Sequence, residues 1–311
     1  MKSLLFILNP FAGQRRANRY IPEIVRLFHE HDYRCELFVT GAAGDATRFI
    51  EESGIVYDMI VCAGGDGTLN ETITGVLKAG VKCPLGYIPC GTTNDYASSI
   101  GLSDDPVQAA RDIMEGTAKE LDIGWFNGQH FVYTATCGAF AKVSYTTSQA
   151  AKNVLGHMAY VLEGMRDLTT LQPFHMHVET DEYALDGDFI YCSITNSTSV
   201  GGILKLDSQV VALNDGKFEV TLVRNPTNPA ELSTILYGMT TMDIPNEMIQ
   251  FFSASDLKMK CDPPMRWTLD GEKGPETGVA VVKNLHAAVR IMIPTGAWDV
   301  PVLPYPEKEE L

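Results

Sequence analysis

The first hundred residues repeat one pattern, and that pattern leaves few folds open. A short apolar run gives way to a loop rich in Gly, Asn, Thr or Asp, and the loop to residues at helical spacing. Residues 3–8 are the first run. Asn9-Pro10-Phe11-Ala12-Gly13 breaks it, and Ile21, Ile24, Val25 and Phe28 then recur on one helical face. The second run, residues 34–39, ends at Thr40, with Asp45 placed to cap the helix that follows. The third is residues 58–62, and the fourth, residues 85–88, leads into Pro89-Cys90-Gly91-Thr92-Thr93-Asn94-Asp95 and a short helix. Strand-sized runs alternating with helices specify a parallel sheet covered by helices, with right-handed crossovers. In such a sheet every strand-to-helix loop lies at the carboxyl edge, where ligands bind. Loops 9–13, 40–45, 64–68 and 91–95 therefore meet by topology.

The third of these loops, Gly64-Gly65-Asp66-Gly67-Thr68-Leu69-Asn70-Glu71, carries the strongest chemical signal. Its glycines allow a sharp turn and leave no side chain between the main-chain N–H groups and a ligand. The helix behind it, marked by Leu69, Ile73, Val76 and Leu77, offers N–H donors and a partial positive charge that suit a phosphate. Thr68 and Glu71 fit a capping box with Thr68 as N-cap. A tight, well-capped turn with no ligand fits this loop alone equally well; three similar loops at the same edge favour the phosphate.

The pattern changes near residue 120. Asn127-Gly128 is a hairpin signal between the runs 121–126 and 130–136. A helical stretch over 150–168 carries Val154, Met158, Val161, Leu162 and Met165. Strand-like runs then dominate, at 174–180, 188–195, 217–223, 248–252, 265–269, 278–282 and 287–293, with one helix expected at 229–239. The fold class is α/β plus all-β. A Rossmann-like parallel-sheet nucleotide domain is expected over 1–120, a mostly antiparallel β-sandwich or partial barrel over 121–300, and an acidic tail over 301–311.

Composition narrows the function. The 311 residues carry a formal net charge of −15, which argues against broad nucleic-acid binding. Arg15, Arg16 and Arg19 still form a local basic cluster, readable as a solvated helix face or as a contact for an anionic membrane. No apolar run is long enough to span a bilayer, and the first run reads as a strand rather than a leader peptide. The seven cysteines make no Cys-x-x-Cys pair, which fits buried thiols in a reducing cytoplasm. His175 and His177 share a strand face with no further metal ligand evident in the sequence.

Asn9-Pro10-x-x-Gly13, Gly64-Gly65-Asp66-Gly67-Thr68 with Asn70-Glu71, Gly91-Thr92-Thr93-Asn94-Asp95 and Asp270-Gly271-Glu272 follow one another over nearly the whole chain. Together they resemble the diacylglycerol kinase-type lipid kinases in their small soluble bacterial form. The glycine-rich motif is shared with NAD kinases and 6-phosphofructokinases; the other three motifs narrow the likeness to the lipid kinases. The resemblance implies an ATP- and Mg²⁺-dependent kinase acting on a lipid hydroxyl, with diacylglycerol giving phosphatidic acid as the leading substrate. It implies nucleotide contacts at Asn9, Pro10, Phe11, Ala12, Gly13, Thr40, Gly64, Gly65, Asp66, Gly67, Thr68, Leu69, Asn70, Glu71 and Thr92. It also implies that Asp66 and Asp95 act in a network around metal and water and that Glu272 serves as general base. For Asp95 a helix cap is the lesser alternative, whereas Asp-Gly-Glu taken alone reads as a hairpin turn.

The residues support kinase chemistry on their own terms. Phosphoryl transfer needs nucleotide phosphates held in line with a hydroxyl and their charge offset. Asp66 repels phosphate, so its place is with Mg²⁺. Bacterial members of the family also carry a structural Mg²⁺ in a segment before an Asp-Gly turn. Here residues 205–216 run one residue longer and lack the expected aspartate. Leu206 and Val211 could offer carbonyls and Asp207 or Gln209 could substitute for the aspartate, and a reshaped loop is the simpler reading. The expected setting is cytoplasmic, peripheral to the inner face of the membrane, with a lipid partner, no nucleic acid, and a homodimer compatible with the sequence. The alternatives are NAD kinase and a catalytically silent nucleotide- or lipid-binding regulator.

Overall fold

The computed structural model describes all residues except 16, 55, 93, 140–171, 183, 197–198, 201–203, 206–211, 242–243 and 297–311. The chain forms two compact units. The first comprises Met1–Ile123, Gly128–Val132 and Leu285–Trp298; the second comprises Gly124–Asn127, Tyr133–Asn284 and Asp299–Leu311. An α/β N-terminal part is thus followed by a β-rich C-terminal part.

In the first unit the alternation of the sequence becomes β1 (Lys2–Leu8), α1 (Ile21–Glu30), β2 (Tyr33–Val39), α2 (Asp45–Ser53), β3 (Met59–Gly64), α3 (Asp66–Ala79), β4 (Leu85–Pro89), α4 (Asp95–Ser99), α5 (Pro106–Glu115) and β5 (Thr117–Phe126), whose last three residues belong to the second unit. Strand β1 pairs in parallel with β2 and β3, and β3 in parallel with β4, giving the order β4-β3-β1-β2. The central strands are apolar because both their faces are covered: β3 is buried along its whole length. Leu4, Phe6 and Leu8 of β1 pack with Met59, Val61 and Ala63 of β3, under Ile24 and Phe28 of α1 and Ile113 of α5. Phe6 and Phe28 meet edge-on at 5.5 Å, the geometry their ring quadrupoles favour. Strand β2 lies at the sheet edge, and its Leu37 and Val39 are exposed.

Helix α5 lies outside the repeat read from the sequence. It begins at Asp105-Pro106, where the Asp105 carboxylate accepts from the N–H groups of Val107 and Gln108. Asp45 is not the cap expected for α2. Gly44 is the N-cap in a left-handed conformation, and Asp45 is the first helical residue. Its carboxylate instead closes the preceding loop, accepting from Gly41 N and Ala42 N at 2.8 Å each.

The remaining elements are β6 (Gln129–Phe131), β7 (Thr134–Gly138), β8 (Phe174–Glu179), β9 (Ala184–Thr195), β10 (Ser199–Val200), β11 (Leu204–Lys205), β12 (Phe218–Arg224), α6 (Pro229–Thr241), β13 (Ile249–Ala254), β14 (Asp256–Leu269) and β15 (Glu272–Ile293). The Asn127-Gly128 turn joins β5 to β6 with both residues at positive φ, 45° and 92°. Pairings within the second unit are antiparallel: β13 with β12, β12 with β9, β9 with β7 and β8, and β14 with β7, β8 and β15. Three expected strands are parts of two longer ones. The run 265–269 ends a strand of 14 residues, and 278–282 and 287–293 lie in a single strand of 22. Pro263-Pro264 and Gly274 with Gly278 interrupt the apolar alternation, and the ladder absorbs the prolines as a register shift between Lys260 and Met265. The helical stretch expected over 150–168 lies outside the described residues.

Strands β7 and β8 occupy one line of the sheet. Gly138 pairs with Tyr191, Ala139 N donates to Ile190 O at 2.7 Å, and Phe174 pairs with Phe189. The chain leaves this line after Ala139 and re-enters it at Phe174, running the same way.

Candidate active site

The carboxyl ends of β1–β4 bring the four loops together. Asn9, just past β1, donates from Nδ2 to Thr68 Oγ1 at 3.0 Å and accepts Phe11 N–H at 3.0 Å through Oδ1. That second bond is an Asx turn, which aims the 9–13 loop along the edge. Gly13 has φ +48°, and a Cβ there would stand 1.9 Å from the Cys90 carbonyl oxygen. A Cβ on Gly91 would lie 2.7 Å from Gly65 Cα. Backbone therefore packs directly on backbone where loops 9–13, 64–68 and 91–95 meet, which requires glycine on both counts. Thr40, past β2, is buried, and its N–H donates to Leu8 O at 2.9 Å. The 40–45 loop is tied to α3 through Glu71, whose Oε1 accepts Gly44 N at 2.8 Å.

Thr68 is not the N-cap of α3. Gly65 is, with extended backbone, so Asp66, Gly67 and Thr68 form the first helical turn. The capping box expected for Thr68 and Glu71 gives way to two longer-range ties: Thr68 receives Asn9, and Glu71 reaches α2. Three glycines permit a helix start one turn earlier than the capping box marks it. The first N–H groups of α3 lack intrahelical partners by the geometry of any helix. A Cβ at Gly67 would meet nothing within 4 Å, so the space beside this turn is open.

Asp66 joins two of the loops. Its Oδ2 accepts the Asp95 N–H at 3.1 Å, and its Oδ1 receives the Tyr87 hydroxyl at 3.3 Å. Tyr87 is fully buried on β4 and also lies 3.3 Å from Asn94 Oδ1. Burial, reinforced by the Asp66 carboxylate, pushes the Tyr87 phenol well above its ordinary range, so it is a fixed donor. Asn94 adopts a left-handed conformation with φ 51° and clamps Gly91 from both sides, accepting its N–H at 2.8 Å and donating to its carbonyl at 3.1 Å. Asn94 is also the N-cap residue of α4, without a side-chain cap bond to it, and Asp95 is the first helical residue. Burial raises the Asp95 carboxyl above the usual carboxylate range, which sets a premium on a nearby positive charge. Asn70 points elsewhere along α3, donating to His130 O at 3.0 Å. Phe11 is largely exposed.

Within the second unit, Asp270 and Gly271 form the two-residue turn between β14 and β15, with φ 49° and 78°. Both angles are positive, as hairpins of this length require. Asp270 is buried, and its Oδ1 accepts the N–H groups of Tyr133 at 2.9 Å and Thr134 at 3.1 Å. The aspartate thus pins the turn to β7. Glu272, the next residue but one, pairs with Leu269 and is exposed. Leu206, Gln209 and Val211 lie outside the described residues, as does Arg16. Among the described residues no group of three or more His, Cys, Asp or Glu is arranged to hold a metal. His175 and His177 instead bond to carboxylates across the strand: His175 Nδ1 to Asp188 at 2.9 Å and His177 Nδ1 to Asp186 at 3.1 Å.

Two residues, one in each unit, that organise the loops and turns described above escaped the sequence reading. Tyr87 was visible as the one polar tip in an apolar strand, and a buried Tyr hydroxyl calls for a partner. Asp270 was read as turn chemistry, and its grip on β7 depends on a pairing 136 residues away.

Comparison with known proteins agrees with this architecture. Residues 3–126 match the family model of the diacylglycerol kinase catalytic domain, and residues 134–293 match that of the YegS C-terminal NAD kinase beta sandwich-like domain. The chain belongs to the diacylglycerol kinase family in which these two domains follow one another. It is similar to a diacylglycerol kinase of Bacillus subtilis strain 168, 31% identical over 93% of this chain and 97% of that protein. A diacylglycerol kinase of Staphylococcus carnosus strain TM300 is 30% identical over 94% of this chain and 95% of its own length. The fold is also that of a crystal structure of a diacylglycerol kinase from Bacillus anthracis, with TM-score 0.71 at 20% identity over 95% of this chain and 98% of that one.

Proposed function

We propose that the chain is an ATP-dependent lipid kinase that converts diacylglycerol to phosphatidic acid. The observation that carries the reading is the hydrogen bond from Asp95 N–H to the Asp66 carboxylate. It ties the backbone of Asp95 to the Asp66 carboxylate in the first turn of α3, which supports a shared site for a nucleotide with its metal. In this reading the first turn of α3, with Gly65 and Gly67, cradles the phosphates, and Asn9, Thr40 and Thr92 line the same edge. Asp66 and Asp95 are the residues that would hold Mg²⁺, since their hard oxygen donors suit it. Bound there, Mg²⁺ supplies charge neutralisation of the transferred group. Glu272 takes the proton of the acceptor hydroxyl as its oxygen attacks the γ-phosphorus; the bond to the bridging oxygen breaks and ADP leaves.

Among the described residues no helix is long and apolar enough to cross a membrane. We place the enzyme as a peripheral visitor to the inner membrane face, with Arg15, Arg16 and Arg19 as its docking patch. Sedimentation with liposomes should then rise with anionic lipid content and fall with salt; indifference to both refutes the patch. Incubation with labelled ATP, Mg²⁺ and diacylglycerol in mixed micelles tests the activity. Labelled phosphatidic acid is the expected product. Its absence, with NAD phosphorylated in a parallel reaction, would instead identify an NAD kinase.

A further inference from the structure

One face of the second unit's sheet is polar where it is most buried. Register places Thr134 of β7 opposite Thr195 of β9, and Thr195 opposite Glu219 of β12. Directly paired residues share a face, so these three side chains form a row across three strands. One step along, Ser193 faces Thr221. Thr195 is 0% exposed, Glu219 and Thr221 1% each, and Thr134 5%. Thr134 Oγ1, Thr195 Oγ1, Thr221 Oγ1 and Glu219 Oε2 have no hydrogen-bond partner among the described residues. A buried polar atom left unpaired is costly, and native proteins hold few of them. Four on adjacent register positions of one face mark a place where something with hydrogen-bonding capacity sits.

The row has a defined start. Thr134 N–H is held by Asp270, so the row begins at the turn that carries Glu272. It runs two strand spacings to Glu219, about 10 Å, and continues to the half-buried Ser253 of β13. Its chemistry is three hydroxyls and one carboxyl. Burial, with Asp215 adding to it, pushes Glu219 up to about 8, so near neutral pH the carboxyl is largely protonated and donates as well as accepts. Such a set favours neutral oxygens over an ion.

We propose that the Thr134–Thr195–Glu219 row binds a second, neutral oxygen function of the acceptor, an ester or hydroxyl set back from the one that is phosphorylated, and that Glu219 determines specificity for it. This rests on the lipid-kinase reading. The acceptor's reacting hydroxyl lies at the Glu272 end, and its remaining polar groups run along the sheet face. Glu219 acts by positioning the acceptor, away from the reacting atoms.

The test compares dihexanoylglycerol, which carries two esters, with a plain long-chain primary alcohol. Replacing Glu219→Leu should lower the ratio of kcat/KM for dihexanoylglycerol over the alcohol about tenfold, the worth of one hydrogen bond, mainly through KM. Glu219→Gln, still neutral and hydrogen-bonding, should restore it. Thr195→Val and Thr221→Val should shift the same ratio and serve if Glu219→Leu does not fold. Binding is read apart from turnover, as the rise in melting temperature that dihexanoylglycerol gives without nucleotide; Glu219→Leu should abolish it. An equal loss for both acceptors makes the row structural and overturns the proposal. No change in ratio or melting shift means that ordered water alone fills the row, and overturns it too. A wild-type protein that phosphorylates neither acceptor refutes the kinase reading, while the melting shift still decides the row.

Discussion

Gly67→Ala separates a phosphate site from a merely well-made turn. Gly67 is the second residue of α3, and a Cβ added there meets nothing within 4 Å. In the empty protein the change should therefore be harmless or favourable. Ala is better than Gly in a helix interior by about 1 kcal/mol, less in the first turn, so a gain of about 0–1 kcal/mol is expected. For a unit of this size that raises the melting temperature by at most about 4 °C. The nucleotide reverses the sign. If phosphate oxygens occupy that open space, the new methyl takes their place and pushes them off the first N–H groups. A tenfold loss of affinity is about 1.4 kcal/mol. A ligand at one hundred times its Kd stabilises by about 2.7 kcal/mol, so such a loss removes roughly half of that stabilisation. The assay is thermal unfolding of wild type and variant, each with and without a non-hydrolysable ATP analogue and Mg²⁺, together with KM for ATP. The expected pattern is an unchanged or higher melting temperature alone, a smaller analogue shift, and a KM raised about tenfold or more. An analogue shift and KM equal to wild type would show that the phosphates are not at this turn.

Tyr87→Phe keeps the buried volume but removes the hydroxyl shared by Asp66 and Asn94; about 1 kcal/mol of stability and a several-fold fall in kcat/KM for ATP are expected, and wild-type values in both would remove Tyr87 from the site. Glu272→Gln should cut turnover by about 10²–10⁴ while leaving the analogue shift intact; full turnover would exclude it as the base. Asp270→Ala strips the acceptor from two buried N–H groups and should lower stability by about 1–3 kcal/mol, measured by urea unfolding. Glu219 gives a pH signature. Its folded pKa of about 8 lies above its unfolded value of 4.5, so its contribution is fully present below pH 4.5 and lost as pH rises toward 8. Stability should fall through that window with a slope of up to about 1.4 kcal/mol per pH unit, and Glu219→Gln should flatten it; an identical slope in the variant would refute the assignment.

The carboxyl edge was legible because strand and helix periods alternate cleanly over residues 3–98 and topology alone then gathers the loops. Its internal wiring was not. Asp45, Thr68 and Asp95 all looked like caps, and in each case the residue before or near them caps while the side chain or N–H serves a neighbouring loop. Short polar residues signal that a backbone group needs a partner, without saying whose. In the β-rich part, Asp256-Leu257-Lys258-Met259-Lys260-Cys261 alternates strictly between exposed and buried in β14, a pattern readable from sequence and passed over beside Pro263-Pro264. The row at Thr134, Thr195 and Glu219 was beyond reach: each residue is ordinary in its own strand, and only pairing across 85 positions of chain makes them neighbours.

The shared line of β7 and β8 has a consequence for how such a chain can vary. Ala139 sits opposite Ile190 and Phe174 opposite Phe189, so the two broken ends are neighbours along a single strand, separated by little more than one residue's rise of about 3.4 Å. The rungs on either side, Gly138 with Tyr191 and Phe174 with Phe189, are therefore consecutive in β9 apart from Ile190, and a segment inserted between the two ends is expected to leave them in register. The scaffold thus offers a socket: a cassette placed there changes what the protein presents while the sheet holds its register, which makes this junction the natural place to splice in a foreign segment.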